Sequence, residues 1–362
     1  MTQYKTIREA AGSLLVVGLS GTELTGLERA WLKLIRPSGI ILFRRNISDA
    51  GQTRALLTEA TSHAADAALR CVDIEGGSVD RLRDAVAPMP SAQAVEQTGK
   101  PRLMQLHGEL IARETLAFGF NTTLAPVLDL ALPDSAHVMG TRTAAADADG
   151  VVEYARAFLS GLKARGVIGC GKHFPGLGGG TRDSHLETPA IDRIWLELWR
   201  EDIAPYRELI SELPMVMVTH AAYPQTRSAE LPATASSYWI TTVLQKKMGY
   251  RGLIFSDDME MGGILKFMSM EEAAISALRA GLHMLEICHS PELILRCYES
   301  LIHEGERSAP FRKLLLNRAT TARRLRKARF AMPMPKALST SQLESLRDKI
   351  NRYRETVEGA RH

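Results

Sequence analysis

The chain has 362 residues, 45% of them hydrophobic and 24% charged, an ordinary soluble globular composition with enough apolar material for a large core. Its 45 basic and 41 acidic residues leave a net charge of +4 without long single-sign runs. That pattern gives no reason to expect a nucleic-acid partner, which calls for clustered Lys and Arg. Cys71, Cys170, Cys288 and Cys297 are scattered without CxxC spacing, and three sit in apolar stretches, so reduced core thiols rather than disulfides are expected. No run approaches the roughly eighteen apolar residues of a membrane span.

In chain order, the opening MTQYKTIREAAGSLLVVGLSG has a short apolar run without a basic leader, a long hydrophobic region or a cleavage site. It reads as a first strand, and a cytoplasmic, unanchored protein is the expectation. Strands are predicted at 13–19, 39–43, 69–75, 121–130, 167–174, 215–221, 252–258 and 284–289. Helical patterns follow them at about 24–36, 49–66, 102–118, 148–165, 196–211, 237–248, 270–281 and 291–303. Eight strands, each followed by a helix, is the count that closes a single (β/α)8 TIM barrel in the α/β class, where an open doubly wound sheet more often has five to seven strands. Residues 1–305 are assigned to this barrel. Residues 306–362 form a C-terminal helical extension: a basic helix with Leu314, Leu315, Leu316 and Leu325, a Pro-Met-Pro break, and an amphipathic helix near 340–358. The last helix packs on the barrel or on a second subunit, and monomer and homodimer both stay open.

Ionisable residues recur at the C-terminal ends of the strands: Asp73 and Glu75, Lys172 and His173, His220, Asp257 and Asp258, and His289. A barrel gathers all those ends on one face, where active sites are built. Strand ends are often polar because loops begin there, but that explains scattered Ser and Asn better than repeated Asp, His and Lys.

The loop GLGGGTRDSH (176–185) contains neither a GxxxxGK[ST] nor a helix-leading GxGxxG pattern, so a phosphate cradle is a weak reading. Three glycines in a row suggest instead a mobile segment using backbone angles closed to other residues. At its far end Asp183 and His185 stand two apart. A carboxylate there can fix one imidazole nitrogen and free the other for proton transfer near its ordinary pKa of ~6.5. A loop bearing such a pair could close over a substrate and reopen.

Five stretches in this order, DIEGGSVDRL (73–82), TLAPVLDL with VMGTRT (123–143), GKHFPGLGGGTRDSHLETP (171–189), VMVTHAAYP with LPATAS (216–236) and IFSDDMEMGGI (254–264), closely resemble the NagZ-type β-N-acetylglucosaminidases of glycoside hydrolase family 3. The resemblance runs from about residue 11 to about residue 300. It implies a (β/α)8 barrel that releases terminal non-reducing β-linked N-acetylglucosamine from muropeptides and related fragments in cell-wall recycling. It also implies Asp257 as nucleophile, His185 as acid/base with Asp183 as its partner, and Asp73, Arg81, Arg142, Lys172 and His173 as sugar-binding residues. The reaction would then be a double displacement that retains the anomeric configuration, with no cofactor, metal, nucleic acid or membrane involved.

The chain departs from the family pattern at four places: Leu177 where a second His is usual, Ser78 where Arg is frequent, and His283 and Glu286 where an acid and an apolar residue are usual. Glu286 falls in a strand expected to be buried, where an unpaired charge is costly. Two other chemistries fit the same residues. An imidazole acid/base carries no negative charge, so phosphate could replace water as acceptor and give a phosphorylase. A zinc held by His173, Asp183, His185 and His220 would give a metal-dependent hydrolase, but no HxH follows the first strand and no HExxH occurs.

Overall fold

A computed structural model describes residues 6–180, 188–229, 231–329 and 331–360. Eight parallel strands make up the central sheet: β1 (Leu15–Gly18), β2 (Gly39–Leu42), β3 (Leu69–Val72), β4 (Thr122–Thr123), β5 (Cys170–Phe174), β6 (Met215–Val218), β7 (Leu253–Asp258) and β8 (Met284–Ile287). Their order is β4-β3-β2-β1-β8-β7-β6-β5. Parallel bridges Thr122–Ile168 and Val127–Lys172 join the two outer members and close the ring. The chain therefore folds as a (β/α)8 barrel. Strands such as LVVG, GIIL and MVMV are apolar on both faces because one face fills the barrel and the other lies under helices.

Alternation along β8 decides which residues reach the interior. Glu286 and Cys288 face the cavity at the barrel mouth, while Leu285 and Ile287, of the opposite parity, are buried under the helical layer. β4 is far shorter than the strand predicted at 121–130. Pro126 has no N–H to give a ladder, and beyond it contact with β5 narrows to single links such as Leu128 N–H to Lys172 O at 2.7 Å. That loosened edge carries Asp129 to the top of the barrel.

Helix starts obey their sequence signals. Thr25 with Glu28 and Ser269 with Glu272 form reciprocal capping boxes, and Asp49 and Asp147 cap the helices Ala50–Ser62 and Ala148–Lys163. A short helix, Ile7–Gly12, precedes β1, where the sequence reading has only the strand at 13–19. The basic helix Ala309–Arg329 packs against it and against Pro291–Arg307. Phe311, Leu315, Ala319 and Ala322 form its buried stripe, and fully buried Arg326 donates to the Ser13 carbonyl at 3.0 Å. The last helix, Thr340–Gly359, lies on Pro101–Ala117 through Leu346, Ile350, Tyr353 and Val357, with Tyr353 Oη donating to Leu103 O at 2.8 Å. Its apolar face is thus covered from within the same chain. The four cysteines are buried free thiols, and among the described residues no helix is long and apolar enough to cross a membrane.

Candidate active site

The C-terminal ends of the strands surround a cavity of about 490 Å³. Its far wall is an ionic network. Lys172 of β5, almost fully buried, reaches Asp73 Oδ1 at 2.9 Å and Glu75 Oε1 at 2.6 Å. Glu75 sits in a short antiparallel hairpin, Ile74–Gly76 with Val79–Asp80, that follows β3. It also accepts a two-pronged pair from Arg142, Nε to Oε2 at 2.8 Å and Nη2 to Oε1 at 2.9 Å. Burial alone would push the Glu75 carboxyl up, but Arg142 and Lys172 outweigh it and hold it far below the usual carboxylate range. Despite burial, the neighbouring carboxylates raise Lys172 (Asp73 and Glu75) and Arg142 (Glu75 foremost) above their ordinary values, so Glu75, Lys172 and Arg142 stay charged at neutral pH. Asp73 keeps its second oxygen toward Arg81, 3.7 Å from Nη2.

The near wall holds His173 and Asp257. His173 Nδ1 lies 2.6 Å from Asp129 Oδ2, and Asp129 also accepts the His173 and Leu177 N–H groups. A carboxylate opposite Nδ1 requires that nitrogen to carry the proton, which leaves Nε2 for the cavity. Asp257 lines the cavity at the end of β7, with Oδ1 accepting the Asp258 N–H at 2.9 Å. Burial pushes its carboxyl up, but His173, His220, the Asp258 N–H and Lys172 bring it below the ordinary range. It is therefore ionised at neutral pH, the form that can attack an electrophilic carbon.

His220 is fully buried on the loop after β6. Its Nε2 donates to the Asp258 carbonyl at 3.0 Å, its Nδ1 lies 2.8 Å from the Thr234 hydroxyl, which itself reaches the Thr219 carbonyl at 2.7 Å, and burial lowers its pKa. It braces the backbone that carries Asp257. Asp258 itself is pushed up to about 7 by burial, with Glu260 and Asp257 adding to the effect. Asp258, Glu260 and His289 offer possible metal ligand atoms within 4.8 Å of one another. Their oxygens already serve the loop: Asp258 Oδ1 accepts the Glu260 N–H, and Glu260 Oε1 accepts those of His289 and Ser290.

Six residues picked from the sequence, Asp73, Arg81, Arg142, Lys172, His173 and Asp257, line this one cavity. Asp183 and His185 lie outside the described residues. The glycines before them have a different reason from the one expected. Of Gly176, Gly178, Gly179 and Gly180, only Gly176 has a left-handed φ, 138°. The others are buried and tightly packed: a Cβ at Gly178 would stand 2.7 Å from the Leu130 carbonyl oxygen. Leu177, in place of a polar residue, closes the wall beside them.

Sequence reasoning did not single out Asp129, although it is a strand-end acid in the quoted TLAPVLDL run. It noted Glu75 without giving it a task. Glu286, which had no rationale as a buried strand residue, faces the cavity. His283 is equally specific, with Nδ1 accepting the Ile254 N–H at 3.1 Å.

The description "Glycosyl hydrolase family 3 N terminal domain" fits residues 6–314. The chain belongs to glycosyl hydrolase family 3. The β-hexosaminidase of Glaesserella parasuis is 36% identical over 293 residues, covering 80% of this chain and 85% of that protein. That of Haemophilus influenzae is 35% identical over 295 residues, 80% of this chain and 83% of the other. Among solved structures, NagZ from Neisseria gonorrhoeae in complex with N-trifluoroacetyl-D-glucosamine superposes with a TM-score of 0.77 at 28% identity, covering 97% of this chain and 98% of that one. A family 3 β-N-acetylglucosaminidase from Paenibacillus sp. FPU-7 gives 0.85 at 28% identity, over 97% of this chain and 69% of the other.

Proposed function

We propose that this glycoside hydrolase, a NagZ-type β-N-acetylhexosaminidase, removes terminal non-reducing N-acetylglucosamine with retention of configuration, through a glycosyl-enzyme on Asp257. The observation that carries the reading is the Asp257 carboxylate, half-buried at the cavity wall and held below the ordinary carboxylate range by His173, His220, a backbone N–H and Lys172. In the first step a carboxylate oxygen of Asp257 bonds to C1 as the C1–O bond to the aglycone breaks, and that oxygen takes a proton from His185, oriented by Asp183. In the second, His185 takes a proton from water, whose oxygen bonds to C1 as the Asp257 ester bond breaks.

Asp73, Arg81, Arg142, Lys172 and His173 hold the glycone. Asp73 is the charged acceptor for sugar hydroxyls, stronger than a neutral one, while Arg81 and the His173 Nε2 face complete the polar wall. Arg142 acts mainly by keeping Glu75, and through it Lys172, in place.

The substrates are assigned as muropeptides and related peptidoglycan fragments of cytoplasmic cell-wall recycling. Support comes from the β-hexosaminidase relatives and from the glucosamine derivative in the Neisseria neighbour. Residues 1–305 are taken as the catalytic barrel and 306–362 as its helical extension. Proton NMR of the first-formed sugar tests the mechanism: the β-anomer of N-acetylglucosamine appearing first is the expected result, and the α-anomer first would overturn it.

A further inference from the structure

Glu286 lines the cavity but has no task in the scheme above, and, unlike Asp258, whose oxygen holds the Glu260 N–H, it serves no loop backbone either. It stands on β8, opposite Val16 of β1 and Asp258 of β7, and is only 2% exposed. Its backbone N–H is satisfied by the Ser256 hydroxyl at 2.9 Å. Oε1 faces the Cys288 thiol at 3.4 Å, a weak donor, and Oε2 has no hydrogen-bond partner among the described residues. The charged groups that act on it most strongly are acids, Asp73 and, on the neighbouring strand, Asp258 and Asp257, while the nearby Arg45 guanidinium is spent on the Cys288 carbonyl at 2.6 Å. Burial, reinforced by those carboxylates, drives its pKa far up. The thiols that share its field, Cys71, Cys170 and Cys288, are themselves pushed up by burial and stay neutral.

A buried polar atom with no protein partner is costly, and one that faces a cavity can be completed by what the cavity binds. The side chain faces the cavity, and the carboxylates of Asp73 and Asp257 there can only accept hydrogen bonds. We infer that Glu286 is a specificity-determining residue of the glycone pocket, a neutral carboxylic acid whose O–H donates to an oxygen of the bound sugar. It supplies a donor where the surrounding acids offer only acceptors. This rests on the proposal that the cavity holds the N-acetylglucosamine ring.

The test uses the full-length protein and three forms: wild type, E286Q and E286L. Glutamine keeps a neutral donor of the same shape, while leucine fills the space without one. On an aryl N-acetylglucosaminide, E286Q is expected to stay within about threefold of wild type. E286L is expected to raise KM about tenfold, with kcat changed much less and a thermal melt no lower than that of wild type. Monodeoxy substrates then locate the contact. Removing the one hydroxyl that Glu286 meets weakens wild type and leaves E286L unmoved. If no deoxy position behaves so while the other results hold, the acceptor is the acetamide or ring oxygen, which the same donor also serves. Calorimetric binding of free N-acetylglucosamine reads the contact without bond breaking. A chain that binds the sugar through Glu286 but leaves glycosides intact would sink the mechanism and support the donor. Wild-type affinity in E286L, or equal losses in E286Q and E286L, would overturn the inference.

Discussion

His173 donates its Nδ1 proton to Asp129 across 2.6 Å, and Asp129 is in turn fixed by two backbone N–H groups from the strand and loop that carry His173. One buried carboxylate thus sets both the tautomer of a cavity-facing ring and the geometry of the glycine loop's base. D129N keeps the shape but loses the charge that favours Nδ1–H. It is expected to lower kcat/KM about 10–100-fold with little change in melting temperature, the range for one charge-assisted hydrogen bond. Steady-state kinetics on an aryl N-acetylglucosaminide checks this.

Lys172 is the only cation bridging Asp73 and Glu75 among the described residues, and it is fully enclosed. K172M would leave Asp73 without its closest partner and Glu75 with Arg142 alone. Removing one member of a buried pair costs about 3–5 kcal/mol, so chemical denaturation of K172M should show a loss of that order. R81M, whose guanidinium is part-exposed and 3.7 Å from Asp73, should cost far less stability while still raising KM.

His283 links stability to pH. Burial takes its pKa from 6.5 down to about 3 in the folded chain. The unfolded chain binds this proton more readily, so the contribution is fully present above about 6.5 and falls by about 1.4 kcal/mol per pH unit below it, until the folded ring titrates. Asp202 and Asp258, both raised to about 7 by burial, have the opposite slope between their unfolded pKa and 7, so total stability can look flat. The difference between variants is the cleaner readout. H283N keeps an acceptor for the Ile254 N–H and cannot titrate. Its stability relative to wild type should improve steadily as denaturation is measured from pH 6.5 toward pH 4.

His185 and Asp257 should separate by leaving group. H185A is expected to slow a natural disaccharide far more than a substrate with an activated phenol, which needs little protonation to depart. D257A should abolish turnover of both, by at least about 10³-fold, since no glycosyl-enzyme can form without it. Circular dichroism confirms that each variant is folded.

Much of this arrangement was legible in the residues. Apolar strands alternating with amphipathic helices gave eight units, and the recurrence of Asp, His and Lys at strand ends marked the functional face before any contact was known. What stayed hidden depended on partners distant in sequence. Asp129 acts only because His173 lies beside it, 44 positions away. Glu286 looks like a misplaced core charge until the barrel closes and its parity turns it to the cavity. The glycines of 178–180 read as freedom, yet at Gly178 close approach to the Leu130 backbone is what excludes a side chain. The short helix before β1 was lost because an apolar strand followed too closely.

Reaction with a fluorinated N-acetylglucosaminyl donor bearing a good leaving group, followed by intact and peptide mass spectrometry, tests the central claim most directly. The expected result is a gain of one fluorinated glycosyl unit, carried on the peptide containing Asp257 and absent from D257A. An adduct on another residue, or continued turnover of the donor with no adduct formed on any peptide, would contradict it.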